Sequence, residues 1–213
     1  MRFLLTFIVA ILFFALASAQ KKEEINFSDA FQLDSSEYFL IPRLLDDSNK
    51  DPYDKGKGYI LWGHYTDILF YNTRTNETKK LLDGRPSLVS PFLQKRSSYY
   101  IQEKDPDISN NILPALIIYS IITDDFNGDK VLDSEDPSYL FVSTKTGEDL
   151  RQITPKGFDV ISWTVSKDKK IILVKGRTDK NKNKKFGNGD DQLYYRIDLN
   201  NDISKIKCYQ VNL

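Results

Sequence analysis

Two stretches of this chain place oxygen-bearing side chains at the spacing a hard cation needs. The first is Asp125-Phe-Asn127-Gly-Asp129-Lys-Val131-Leu132-Asp133-Ser-Glu135-Asp136. The second is Asp179-Lys-Asn181-Lys-Asn183-Lys-Lys185-Phe186-Gly187-Asn-Gly-Asp190. Both put Asp or Asn at loop positions 1, 3, 5 and 12, with a large apolar residue at position 8. Calcium takes about six to eight oxygens, and alternate residues of one loop can wrap it in this way.

The spacing is that of an EF-hand loop. In the first loop the predicted ligands are the side chains of Asp125, Asn127, Asp129 and Asp136, the backbone carbonyl of Val131, and Asp133 through a water. Asp124 and Glu135 add negative charge, so the carboxylates repel one another and a divalent cation relieves that cost. Leu132 is expected to turn inward and tie the loop down. One departure counts against the pattern: the usual glycine at position 6 is Lys130, with Gly128 at position 4 supplying some freedom. The second loop offers Asp179, Asn181, Asn183, the carbonyl of Lys185, and Asp190. Lys180, Lys182, Lys184 and Lys185 oppose a cation there, so this site is the weaker. The alternatives are a solvated acidic hairpin for the first loop and a lysine-rich loop for the second.

Other chemistry is sparse. His64 is the single histidine and reads as a hairpin or packing residue. Cys208 is the single cysteine, in an alternating run that makes it a small core residue and rules out an internal disulfide. No Ser-His-Asp order, HExxH, zinc set or P-loop stands out, and no catalytic residue is assigned. Carboxylates abound, so a glycosidase pair survives as an alternative, although nothing in the spacing sets two of them across a cleft. Tyr99-Tyr100 and Tyr194-Tyr195 are able to line a sugar or peptide groove, but in alternating strands one of each pair belongs to the core. Asn26-Phe-Ser and Asn76-Glu-Thr match the glycosylation pattern, which means little if the source is bacterial.

The elements that must position these loops are strands. Met1-Arg2, an apolar run from Phe3 to Leu16 and Ala17-Ser18-Ala19 form a secretory signal peptide cut after Ala19. The run is short for a membrane anchor, so none is expected after cleavage, and the product is exported to the periplasm or beyond. About 190 residues then remain, enough for one domain. Residues 20–36 read as a polar lead-in and 37–213 as the domain. Lys+Arg and Asp+Glu balance at 30 each, which gives no whole-molecule bias toward nucleic acid or anionic membrane.

Short runs rich in Tyr, Phe, Ile and Val, broken by Asn, Gly, Asp and Pro, predict an all-β chain. They include Tyr59–Trp62, Ile68–Tyr71, Leu116–Tyr119, Tyr139–Val142, Ile171–Val174 and Leu193–Tyr195. Residues 45–58 read as a loop. Three segments repeat one pattern: two strands, a polar turn and a third strand. The turns are Thr73–Thr78, Thr144–Asp149 and Asp198–Asp202, with Asn76, Gly147 and Asn201 at the position expected to need a positive φ. Lys79–Leu82, Leu150–Ile153 and Lys205–Tyr209 follow them. Val160–Val165 is an innermost strand for the last unit, and Ser97–Ile101 the corresponding one for the middle unit. The two acidic loops are insertions between second and third strands. Four antiparallel strands per unit, in series, is the plan of a β-propeller blade. Three units make a partial or small propeller-like array, residues 37–44 are placed to begin a fourth, and a four-unit ring, an open partial propeller and a twisted sandwich are the alternatives.

Tyr139-Leu-Phe-Val-Ser-Thr-Lys-Thr-Gly147-Glu-Asp-Leu150-Arg-Gln-Ile-Thr154-Pro155 resembles the "YL…dldG.nLrqLTp" pattern of TolB-type, WD40-like propeller repeats of bacterial envelope proteins. The chain is also similar to exported Bacteroidetes-type proteins in which a DxNxD loop interrupts such a blade. The resemblance covers about Ile117 to Asn200. It implies a role in binding a protein or glycan partner in the cell envelope, and with the two loops and the lack of a catalytic motif the expectation is a non-catalytic, calcium-braced module. The rival expectations are an envelope glycan hydrolase with a carboxylate pair, and a structural or assembly subunit without metal. Strands locked in a sheet cannot swing apart as sensor helices do, so the loops read as braces for long insertions.

Overall fold

A computed structural model describes residues 25–33, 36–44, 65–84, 87–90, 113–187 and 189–213. The predicted signal peptide, the 45–58 loop, Tyr59–Trp62, His64, Ser97–Ile101 and Tyr99-Tyr100 lie outside those residues.

Among the described residues the fold is all-β and antiparallel, apart from one short 3-10 turn. The strands fall into three consecutive meanders. The first comprises β1 (Phe31–Gln32), β2 (Tyr38–Leu44), β3 (Tyr65–Asn72) and β4 (Glu77–Lys80). The second comprises β5 (Leu88–Ser90), β6 (Leu116–Ile122), β7 (Ser138–Thr144) and β8 (Arg151–Gln152). The third comprises β9 (Phe158–Val165), β10 (Ile171–Thr178), β11 (Asp191–Asp198) and β12 (Lys207–Gln210). A single pairing, Tyr65 with Val89, joins the first two meanders into one hydrogen-bonded sheet, while the third is a sheet of its own.

The middle unit explains the stacking. β6 reads Leu-Ile-Ile-Tyr-Ser-Ile-Ile and β7 Ser-Tyr-Leu-Phe-Val-Ser-Thr, nearly continuous apolar runs of the kind found in strands covered on both faces. Successive residues point to opposite faces. Ile117, Tyr119, Ile121, Tyr139 and Phe141 join a core with Leu40, Ile68 and Phe70 of the first unit. Leu116, Ile118, Leu140 and Val142 join a second core with Phe158, Val160, Ile172, Val174 and Ile197 of the third. At about 1.5–3 kcal/mol for each large side chain removed from water, these two layers dominate the stability.

Polar groups buried in the layers are satisfied locally. Tyr119 Oη and Ser143 Oγ are 2.7 Å apart, and burial raises the phenol far above its ordinary pKa. The buried Asp67 carboxylate accepts from Ile68 N at 2.8 Å and Leu82 N at 3.0 Å, which holds the end of the first unit's last hairpin. Thr154 Oγ1 plays the matching part in the second unit, accepting from Leu140 N at 3.0 Å.

Several expectations change. Residues 37–44 begin no further unit; they are β2, the second strand of the first unit, paired along β3. In the middle unit Leu88–Ser90 pairs with Ser120–Ile122 of β6, a strand the sequence did not suggest, while the expected Ser97–Ile101 lies outside the described residues. The lead-in is tied to the sheet, with Phe31–Gln32 paired on β2, Phe27 bridging Arg43 and Leu33 fully buried. Asn76 and Gly147 take the positive φ predicted for their turns, 58° and 73°. Asn201 does not; its connection is the 3-10 turn Ile203–Lys205, capped by the Asp202 side chain on Ser204 N. Burying Ile203 and Ile206 in the second core favours that turn over a tight hairpin.

Candidate metal centre

Both oxygen-rich loops leave the same end of adjacent units, the first between β6 and β7, the second between β10 and β11. Their bases are locked together. Asp159 of β9 accepts from Ser138 N of β7 at 3.1 Å, and Arg177 of β10 approaches the other Asp159 oxygen at 3.3 Å. Phe158 occupies the space where a side chain on Gly176 would stand, so glycine is required beside the bulge at Lys175/Gly176.

Position by position, the two loops share one hydrogen-bonded frame. At position 1, Asp125 accepts from Gly128 N (2.7 Å) and Lys130 N (2.9 Å). Asp179 accepts from the matching position 6, Lys184 N (2.9 Å), but its second donor is position 5, Asn183 N (3.1 Å), where the first loop uses position 4. At position 3, Asn127 Oδ1 accepts from Asp129 N and Asn181 Oδ1 from Asn183 N, at 2.8 and 2.9 Å. Position 5 repeats the step: Val131 N donates to Asp129 and Lys185 N to Asn183, both at 2.8 Å. Position 12 closes the loop from its far end. Asp136 accepts from Phe126 N (2.8 Å), Asn127 N (3.4 Å) and Asp133 N (3.1 Å). Asp190 accepts from Lys180 N (3.2 Å) and Gly187 N (2.9 Å).

The residue at position 6 no longer counts against the pattern. Lys130 and Lys184 adopt φ of 72° and 61°, the left-handed conformation that glycine would take there. The bond from each of their N–H groups to the position-1 carboxylate offsets part of the steric cost of about 1–2 kcal/mol. Position 4 is left-handed as well, Gly128 at 82° and Lys182 at 59°.

Each carboxylate oxygen has two lone pairs, so one N–H bond fixes its direction without ending its capacity to bind a cation. The predicted ligands of the first loop are Asp125, Asn127, Asp129, Asp133, Asp136 and the Val131 carbonyl, and the Asn127 amide donates to Asp129 Oδ2 at 3.3 Å. Asp133 Oδ1 accepts from Glu135 N at 2.8 Å in the same way. Asp179, Asn181, Asn183, Asp190 and the Lys185 carbonyl are the predicted ligands of the second loop, and the neighbouring Asp191 is paired with Lys180 at 2.9 Å. Among the described residues, no three His, Cys, Asp or Glu side chains are gathered as a metal would hold them. Asn181, Asn183 and the Lys185 carbonyl make the second loop poor in carboxylates, whereas the first loop has four aspartates among its candidates.

The acidic field reaches inward to Tyr139. Burial is the main cause raising its phenol pKa, and Asp124, Asp159 and Asp136 add to the rise against a hydrogen bond from Gly157 N. Cys208 is half-buried against the second core, and burial pushes its thiol up to about 11, the opposite of an activated nucleophile. Tyr195 meets Phe158 edge-on at 4.8 Å, as a core member of the Tyr194-Tyr195 pair should. Leu132 is half-buried.

Sequence spacing does not reveal the meeting of the two loops. Phe126, at position 2 of the first, packs on Phe186, at position 8 of the second, with ring centroids 5.0 Å apart. The apolar character of position 8 was the available signal; its partner lies 60 residues away and is fixed by the stacking of the units. Comparison with protein-family models, curated proteins and solved structures finds nothing that matches this chain.

Proposed function

We propose that the chain is an exported, non-catalytic, propeller-like module whose first loop, and more weakly its second, binds calcium as a structural brace, and that the braced module binds a protein or glycan partner in the cell envelope. One observation carries the metal part: two loops of different composition adopt the same frame, with position-1 and position-12 carboxylates oriented by backbone N–H groups. A divalent ion there joins the two ends of an insertion whose flanking strands are fixed in a sheet. Extracellular sites with dissociation constants of about 10⁻⁴ to 10⁻³ M suffice for that work. The partner-binding part draws on the TolB-like resemblance of residues 139–155. It is supported by the outer face of the third unit, where Leu173 and Tyr209 stand 44% and 47% exposed on either side of Arg196.

The test is thermal unfolding in EDTA, calcium and magnesium. Calcium at about 100 times its dissociation constant adds about 2.7 kcal/mol if only the folded state binds it. At this size that is a rise of about 5–10 °C, abolished in Asp125→Ala/Asp129→Ala. No shift across millimolar calcium refutes the metal reading and leaves the rival of a structural subunit. The Lys180–Asp191 pair and the lysines at positions 2, 4, 6 and 7 favour that rival for the second site.

A further inference from the structure

The chain contains two Asn-Gly pairs, Asn127-Gly128 and Asn188-Gly189. Asparagine cyclises most readily before glycine, because no β-carbon crowds the attacking nitrogen. At the first pair the Gly128 nitrogen would give up its proton and attack Asn127 Cγ. A C–N bond forms, the bond from Cγ to Nδ2 breaks and ammonia leaves; water then opens the succinimide to aspartate or isoaspartate. Packing does nothing to prevent this. Gly128 is exposed, and the nearest atom to a Cβ built there is Lys184 Nζ, at 3.5 Å. Hydrogen bonds do prevent it. In the succinimide the new bond takes the place of the N–H bond, and the Gly128 N–H is directed at Asp125 Oδ1, 2.7 Å away. A carboxylate oxygen thus stands on the line that Cγ has to occupy. Its charge also opposes loss of the proton, since a hydrogen bond to the neutral form and a nearby like charge both disfavour the anion. The Asn127 amide is held in turn by Asp129: Oδ1 accepts from Asp129 N at 2.8 Å, and Nδ2 donates to Asp129 Oδ2 at 3.3 Å.

We propose that Asn127 is a latent deamidation site, kept unreactive by the closed loop and converted to aspartate or isoaspartate once the bond from Gly128 N to Asp125 opens. The inference needs no metal and stands apart from the calcium reading. Reclosing the loop does not undo the conversion. Either product replaces the amide that donates to Asp129 with a carboxylate, which repels it. Isoaspartate also adds a methylene to the backbone between Asp125 and Asp129, the two residues whose bonds define the frame there. An opening of the first loop is therefore recorded in the covalent chain.

The experiment holds the full chain in EDTA at mildly alkaline pH, folded and in urea, and follows Asn127 by peptide mass and isoaspartate content. Asn188 in urea supplies the rate of the same dipeptide unprotected. Folded, Asn127 should convert at least about tenfold more slowly than in urea, the factor that one hydrogen bond to a charged acceptor supplies. Asp125→Ala should return most of that factor in the folded chain and leave the rate in urea unchanged. Glu135→Ala removes the same charge from the same loop, but its side chain makes none of these bonds, so Asn127 should stay protected. Conversion of Asn127 as fast in the folded chain as in urea overturns the proposal. Equal acceleration by the two substitutions also overturns it, because net charge or general loosening would then be the cause. So does a folded rate that Asp125→Ala leaves unchanged.

Discussion

Asp136→Ala removes the only fully buried ligand candidate of the first loop. The carboxylate is 3% exposed and accepts from Phe126 N at 2.8 Å and Asp133 N at 3.1 Å, with a longer approach from Asn127 N at 3.4 Å. Hydrogen bonds to a charged acceptor are worth about 1.5–3 kcal/mol each when a buried partner is left without them. Water reaches part of this loop, so the two short bonds together come to about 3 kcal/mol. For a chain of this size the expected loss is about 6–12 °C in Tm, measured in EDTA so that no metal contributes. Asp190→Ala is the internal comparison. Asp190 is half-buried and accepts at 3.2 and 2.9 Å, and the loss should be about half as large. Asp136→Asn should fall between, because an amide satisfies one N–H and turns its own donors on the other. If Asp136→Ala costs no more than Asp190→Ala in EDTA, or if its cost appears only with calcium, the backbone brace described here is wrong.

Gly147→Ala should cost about 2–4 kcal/mol by denaturant unfolding, since φ is 73° and the added Cβ would meet the buried Phe70 ring at 2.6 Å. Gly84→Ala, at φ 77° but in open space, should cost only about 1 kcal/mol, and equal losses would refute the contact. For Cys208, a thiol raised from 9.0 to about 11 favours the folded state below pH 9 and loses that contribution as pH climbs toward 11. Disulfide reagents at pH 8 should therefore label it slowly in the folded protein and fast after denaturation, and equally fast labelling in both would show the thiol unburied.

How much of this was legible depended on whether the cause was local. Ile68–Tyr71, Leu116–Tyr119, Tyr139–Val142, Ile171–Val174 and Leu193–Tyr195 all fall inside strands because their own pattern encodes them. Leu88–Ser90 and Phe31–Gln32 are too short to carry a pattern and become strands only through their neighbours β6 and β2. The loop spacing predicted ligand candidates whose frame the structure repeats in both insertions. Composition misled at position 6, where Lys130 accepts a left-handed backbone because Asp125 receives its N–H at 2.9 Å. Asn201 misled in the other direction, since two buried isoleucines downstream decide the shape of its turn.

The middle unit, covered on both sides, has a consequence for how such a chain can diverge. A sheet exposed on one face can change every second residue without disturbing its core. β6 and β7 have no such face, since alternate residues serve two different cores, so nearly any substitution there is felt by one neighbour or the other. Novelty in this unit is forced to its ends, into the turn at Thr144–Asp149 and the insertion at 123–137. The part of the middle unit most free to acquire new chemistry is therefore the part that carries its cluster of acidic side chains.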